Sequence, residues 1–303
     1  MKLHKPAIGA TWMLIAGIAF AGVNSIGQYL SYILGMPSPS VAFIQYMVAV
    51  AILFPWMIKK GLGRLLNTRQ PWLHLLRVGF AVLGVQCWLW ALSWPVPIWQ
   101  GIALLMLSPL IATIGSGIFL GEAIGLARLG ATVVGFFGAM IIVEPWTEDF
   151  SVASLLPVIA AVFWAGYSLM VKYQSRTEDS TTIVLYLLVL IAPFNAILAA
   201  PVLDWPNGQQ WLFLVAAGFL TGIAQMAVVK AYESADASYV QPFDHAKLLM
   251  NVLAGWFFFN QIPPGRLWLG ASIIVMASLY IAQKELRFFR RSNSLAKESS
   301  NCT

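Results

Sequence analysis

The chain is poor in charge. Only 10% of its 303 residues are Asp, Glu, Lys or Arg, and the acids number 12. A soluble globular domain carries roughly 25% charged residues, so this chain lacks the polar surface to face water on every side. Cysteine is nearly absent as well. Cys87 falls in an apolar run and Cys302 in the polar tail, which excludes a disulfide framework. There is no Gly-rich phosphate loop, HExxH pair, aspartate-rich metal motif or Gly-x-Ser-x-Gly elbow. These absences argue against direct ATP coupling and against a membrane-embedded enzyme, and they leave no expected cofactor or metal. The net charge of +6 is spread over short connections and a tail, so no nucleic-acid partner is expected. Asn301-Cys302-Thr303 matches a glycosylation sequon by chance, lying at the end of a basic tail.

What the chain has in abundance is apolar length: 59% of it is hydrophobic and its mean hydropathy is +0.77. A helix needs about 20 such residues to cross a bilayer. Apolar windows between polar punctuation predict an all-α membrane protein of ten transmembrane helices. They lie near 10–31, 40–58, 72–94, 99–120, 127–144, 152–172, 181–203, 210–232, 238–259 and 266–284. The connections are short and rich in turn formers, such as MPSPS at 36–40 and DWPNG at 204–208. MKLHKP followed by AFAG at 19–22 imitates a secretory signal, yet apolar character runs on to about Ile33, so an uncleaved first span is expected.

Charge asymmetry orients these spans. Lys2, Lys5, Lys59, Lys60, Arg64, Arg69, Arg128, Lys172, Arg176, Lys230, Lys284 and Arg290 fall on one side, with Arg77 near the start of the third span. The opposite side receives Arg266, Glu144, Glu148, Asp149 and Asp204. Both termini are therefore expected in the cytoplasm. Trp56, Trp72, Trp94, Trp99, Trp146, Trp205, Trp211 and Trp268 sit near span ends, where an aromatic belt is expected, whereas Trp90 and Trp164 lie deeper.

The sequence also repeats at a period of about 139 residues. PLIATIGSGIFLGEAIGLARLGATVVGFFGAMIIV at 109–143 parallels LLMNVLAGWFFFNQIPPGRLWLGASIIVMASLYIA at 248–282, which sets Glu122 opposite Gln261. The expected units are a first half, 1–146, a second half, 147–286, and a basic tail, 287–303. Five spans per half make the halves inverted copies, a construction typical of secondary transporters with a substrate site at the midplane.

The ten-span layout, the hinges GEAIGLARLGA and NQIPPGRLWLGA, and Pro242-Phe243-Asp244-His245-Ala246-Lys247-Leu248 before Gly255-Trp256-Phe257-Phe258-Phe259 resemble the EamA-type members of the drug/metabolite transporter superfamily. Two departures stand out. His245 occupies a place where an aromatic is common, and Asn260-Gln261 replaces Gly-Glu. The resemblance implies alternating access. It also implies a solute such as an amino acid or another metabolite, with S-adenosylmethionine and riboflavin among those taken up by relatives.

Asp244, His245 and Lys247 stand together in the ninth span. A buried charge costs about 2.5–3.5 kcal/mol at the bilayer centre, so ionisable groups there pair with each other or face a solute pathway. Asp244 and Lys247 are spaced i, i+3 and can meet on one helix face. They suit either a structural ion pair or a zwitterion, with its carboxylate on Lys247 and its amine on Asp244. His245 can titrate near neutrality, which would serve proton coupling. Asn24 and Gln28 share a face of the first span at i, i+4. Gln45, Tyr46, Gln86, Trp90, Ser108, Trp164, Tyr167, Ser168, Asn195 and Gln225 are also deep enough to line a cavity. Each amide alone reads first as an interhelical hydrogen bond. Trp164, Tyr167 and Gln225 are the preferred ligand contacts, since aromatic faces suit a cationic or planar solute. Glu122, Gly117-x-x-x-Gly121 and Gly218-x-x-x-Gly222 read as hinge and packing features.

The expected function is a secondary transporter in a bacterial inner membrane. Its solute is a small polar or amphipathic metabolite, driven by protons or by exchange. A nucleoside-like or flavin-like solute is the alternative. Membrane lipid is the other expected partner, and the oligomeric state is left open.

Overall fold

In the bilayer core no water is present to satisfy the backbone, so an apolar chain of this kind must close its hydrogen bonds within helices. The computed structural model describes residues 6–59, 68, 70–120, 126–147, 150–174, 177–178, 180–234, 246–277, 279–280 and 283. Among them there are helices and turns but no strands. α1 (Pro6–Gln28) continues as a π-helical turn (Tyr29–Ile33) and is followed by α2 (Ser38–Lys59), α3 (Pro71–Leu92), α4 (Ile98–Leu105), α5 (Ser108–Leu120) and α6 (Leu126–Val143). The second half holds α7 (Leu156–Gln174), entered through a 3-10 turn, then α8 (Ser180–Ala199), α9 (Gly208–Ser234) and α10 (Ala246–Phe259). α11 spans Gly265–Ala277.

Among the described residues, six stretches are long and apolar enough to cross a membrane: Ile8–Ile33, Ser38–Pro55, Pro71–Leu92, Val152–Val171, Leu185–Val202 and Gly208–Val228. Shorter apolar helices occupy Ile98–Ala112, Leu129–Val143, Ala246–Phe259 and Gly265–Ala277. The chain is thus a multi-pass membrane protein.

The fourth expected span, 99–120, is two helices rather than one. Pro109 has no N–H for the Leu105 carbonyl, and its ring would press on that carbonyl. The chain therefore turns at Met106 and Leu107 through N–H bonds to Ala103 O and Leu104 O, at 3.3 and 3.0 Å. It restarts with Pro109 in the first turn of α5, where a missing N–H costs nothing. Irregular backbone at this depth survives only inside protein, and Ala103, Leu104, Leu107 and Leu110 are fully buried.

The two halves pack reciprocally. α1 lies against α9 and α10, and α7 lies against α3 and α5. Corresponding helices meet head to tail. Glu144, just past the end of α6, pairs with Arg266 near the start of α11 at 2.5 Å. The Ile98 N–H, at the start of α4, donates to Gln261 Oε1 just past α10, at 3.0 Å. Between α6 and α11 the backbones touch: a Cβ on Gly270 would lie 2.5 Å from the Gly138 carbonyl oxygen, and one on Gly138 would lie 2.8 Å from that of Gly270. Gly218 lets α9 meet α2 in the same way, for its Cβ would stand 2.5 Å from Val48.

Trp72, Trp146 and Trp205 are largely exposed near helix ends, as a belt requires. Trp99 departs from that expectation and is only 5% exposed. The reason is its helix: α4 is surrounded by α7, α10, α6 and α3, so no face of it reaches lipid.

Candidate functional site

The polar residues of α1 turn inward. Asn24 and Gln28, on one face, are almost completely buried. Asn24 Nδ2 donates to Asn251 Oδ1 of α10 at 2.8 Å, and Asn24 Oδ1 accepts from the Trp88 indole N–H of α3 at 3.0 Å. Asn251 in turn donates to the Lys247 carbonyl at 2.7 Å, one turn back on its own helix. Three helices from both halves therefore converge on one amide pair. A step further along α1, Gln28 donates to the Val96 carbonyl at 3.0 Å and accepts from Gln261 Nε2 at 3.0 Å. Gln261 Oε1 takes the Ile98 N–H, which closes an amide ladder between the α3–α4 connection and the α10–α11 hinge. Asn260 enters that hinge at φ 57°, and Gly255 leaves room for the Gln261 side chain to fold back.

The other expected residues divide. Lys247 places its ammonium 4.9 Å from the Phe20 ring centroid of α1, beside the central amides. Gln86 Nε2 donates to Asn195 Oδ1 at 2.8 Å, joining α3 to α8. Gln45 Nε2 donates to Thr221 at 2.9 Å, joining α2 to α9. Trp164 presses its indole on Gly84 of α3, where a Cβ would sit 2.7 Å from the ring. Tyr167 accepts from Arg77 Nη1 at 3.3 Å, and Gln225 is half-buried on α9. Asp244, His245 and Glu122 lie outside the described residues. Trp90 stands apart from this set, 55% exposed, on the far side of α3 from buried Trp88. Trp90→Ala is expected to leave solute uptake within about twofold of wild type, as exposed substitutions away from a site usually do. An uptake assay normalised to protein in the membrane checks it.

Four participants went unnoticed in the sequence: Trp88, Asn251, His74 and Glu178. Trp88 and Asn251 complete the central amide pair, and both are buried. At the other end of α3, His74 and Arg77 are completely buried; His74 meets Glu178 from the α7–α8 connection, and Arg77 bonds His74. The signal was available: an imidazole and a guanidinium at i, i+3 in an apolar run follow the same logic as Asp244 and Lys247.

What lies between the two halves is a set of hydrogen-bonded amides and indoles with the Lys247 ammonium beside them. Known proteins resemble the chain along its whole length. The profile of the EamA-like transporter family matches the chain twice, over residues 7–144 and 151–283. A riboflavin transporter of Vibrio cholerae serotype O1 is 58% identical over 97% of this chain and 99% of its own. A riboflavin transporter of Rhizobium johnstonii is 46% identical over 95% of each chain. An S-adenosylmethionine uptake transporter of Rickettsia felis is 26% identical over 97% of this chain and 98% of its own. A solved crystal structure at 19% identity superposes with TM-score 0.61, covering 92% of this chain and 97% of that one, a likeness of fold. The apolar helices, the reciprocal halves and a family match repeated along the chain have one reading: this small-metabolite transporter belongs to the EamA-like transporter family.

Proposed function

We propose that the chain takes up riboflavin, or a close flavin, by alternating access across a bacterial inner membrane. The observation that carries this reading is the 58% identity to the Vibrio cholerae riboflavin transporter over 97% of the chain. The interior supports it. A flavin is a planar, neutral ring system with a polyol arm. Trp88 and Trp164 supply indole faces, and Asn24, Asn251, Gln28 and Gln86 supply donors and acceptors without net charge. An amino-acid-like zwitterion held between Asp244 and Lys247 is the second reading, favoured by the ionisable residues Asp244, His245 and Lys247 close together in sequence.

In this reading ten spans form two inverted repeats, 1–146 and 147–286, with a cytoplasmic tail at 287–303 and both termini in the cytoplasm. The antiparallel meetings of α6 with α11 and of α4 with α10 support the inversion. Lys247, one turn before Asn251 on α10, contacts the solute in this reading, together with Asp244 and His245 just before it in sequence and with Tyr167 and Gln225. The energy source is a proton, relayed by His245, or an exchanged solute. Membrane lipid covers the outer helix faces, and no nucleic acid or catalysis is involved.

A riboflavin-auxotrophic bacterium without its own uptake system tests the reading. Expression of this chain is expected to restore growth at low micromolar riboflavin. Absence of growth despite protein in the membrane would refute it.

A further inference from the structure

The ionic cluster at the start of α3 takes no part in the central site, yet it ties the two halves together. Glu178 accepts from Thr68 and meets His74 Nε2. His74 Nδ1 lies 3.1 Å from Arg77 Nη2, which also donates to the Ile183 carbonyl of α8 at 2.8 Å. Arg77 Nη1 donates to Tyr167 of α7, with the guanidinium 5.3 Å from that ring centroid. Tyr186 of α8 stacks on the imidazole at 4.1 Å. An arginine only donates, so Nδ1 must be the accepting nitrogen, and the N–H on Nε2 points to Glu178. A neutral imidazole is therefore the bridge between a cation and an anion.

The scaffold itself does not require such a cluster. One period of about 139 residues carries His74 onto Phe213, and that site closes α9 onto α1 with neutral groups. Phe213 packs on Tyr29 at 4.8 Å, and Gln209 Nε2 donates to the Tyr29 hydroxyl at 3.3 Å. Equivalent helix pairs thus close with aromatics and an amide at one end of the bundle and with buried ions at the other. The neutral end is also where the Gln28–Gln261 ladder sits.

We propose that His74, Arg77 and Glu178 form the cytoplasmic latch of the transport cycle, the counterpart of the outer Gln28–Gln261 ladder. With both in place the pathway is shut at each end, and entry of solute into the cytoplasm requires the ionic contacts between α3 and the α7–α8 connection to part. These are positioning residues: they set which side opens. The proposal rests on the transport reading but not on the identity of the solute.

The test needs no solute. Hydrogen–deuterium exchange is followed by mass spectrometry on the full chain in lipid nanodiscs. Wild type is compared with His74→Lys, which can only donate, and with Glu178→Ala. In both variants the amides of 71–78 and 180–186 are expected to exchange roughly tenfold faster, as loss of a charged hydrogen bond permits local opening. Alternating access adds a sign that a merely structural contact lacks. Amides of 29–36 and 93–98, at the outer ladder, are expected to exchange more slowly than in wild type. His74→Gln, which offers one acceptor to Arg77 and one N–H to Glu178, should keep the wild-type pattern. If a variant fails to accumulate, Arg77→Lys takes its place. It keeps the charge but cannot serve Tyr167, Ile183 and His74 together, and the same pair of shifts is expected. Unchanged exchange, or faster exchange at both ends, would overturn the latch. Failure of riboflavin to support growth would leave this result standing, so the two readings fail separately.

Discussion

Asn251→Leu is expected to lower flavin uptake by roughly ten- to a hundredfold while the protein still reaches the membrane. Leucine has the same number and branching of side-chain heavy atoms as asparagine, so α10 can still pack on α1. What is lost is the acceptor for Asn24 Nδ2, now 2.8 Å away, in a place where Asn251 is completely buried. An unsatisfied buried donor costs about 1–3 kcal/mol, and each 1.4 kcal/mol is about tenfold in an equilibrium. Asn24 also takes the Trp88 indole N–H. Once Asn24 is released from one side, the indole loses its fixed orientation, and a planar solute would feel this most. Initial uptake rates at several riboflavin concentrations, scaled to protein in the membrane, check the expectation. Wild-type rates would remove the amide pair from the solute pathway.

Gly270→Leu is expected to do something different in kind, costing folded protein rather than turnover. A Cβ at residue 270 would stand 2.5 Å from the Gly138 carbonyl oxygen and 2.6 Å from Ile142 Cγ1. The first of these neighbours is backbone and cannot rotate aside. α6 and α11 would have to separate, taking with them the Glu144–Arg266 pair at their joined ends. Overpacking a tight core contact costs about 1–3 kcal/mol, and more where backbone is the obstacle. Helices in lipid associate through such close approach rather than through expulsion of water. The extracted variant should therefore melt well below wild type and run as aggregate on size exclusion. Gly130→Ala is the control, since a Cβ there meets nothing within 4 Å. Equal melting temperatures for Gly270→Leu and wild type would contradict the helix contact.

The architecture was legible because a bilayer admits so few solutions. Low charge, long apolar windows and a period of about 139 residues carried the multi-pass reading and the two similar halves. Asn24 and Gln28 were legible for a related reason: two amides at i, i+4 on an apolar helix must find partners on one face. Their partners were not legible. Asn251 and Gln261 lie more than 220 residues away in sequence, and a lone amide gives no hint of which helix it will meet. The surroundings of Arg77 were not legible either. Its place near a span start says nothing of burial, yet it is completely buried, because Tyr167 and the Ile183 carbonyl come to it from the other half. Trp99 failed likewise. Its position in sequence fits a belt, but a helix surrounded on all sides has no interface to offer. The break before Pro109 could have been read directly, since the proline removes the bond that a continuous helix would need there.

Counterflow in proteoliposomes of the purified chain tests the central claim most directly. Vesicles loaded with unlabelled riboflavin are diluted into a trace of labelled riboflavin. A carrier is expected to accumulate label transiently above equilibrium, then lose it, with excess unlabelled flavin abolishing the overshoot and amino acids leaving it intact. Label that merely equilibrates, or an overshoot seen with amino acids and not with riboflavin, would contradict flavin carriage.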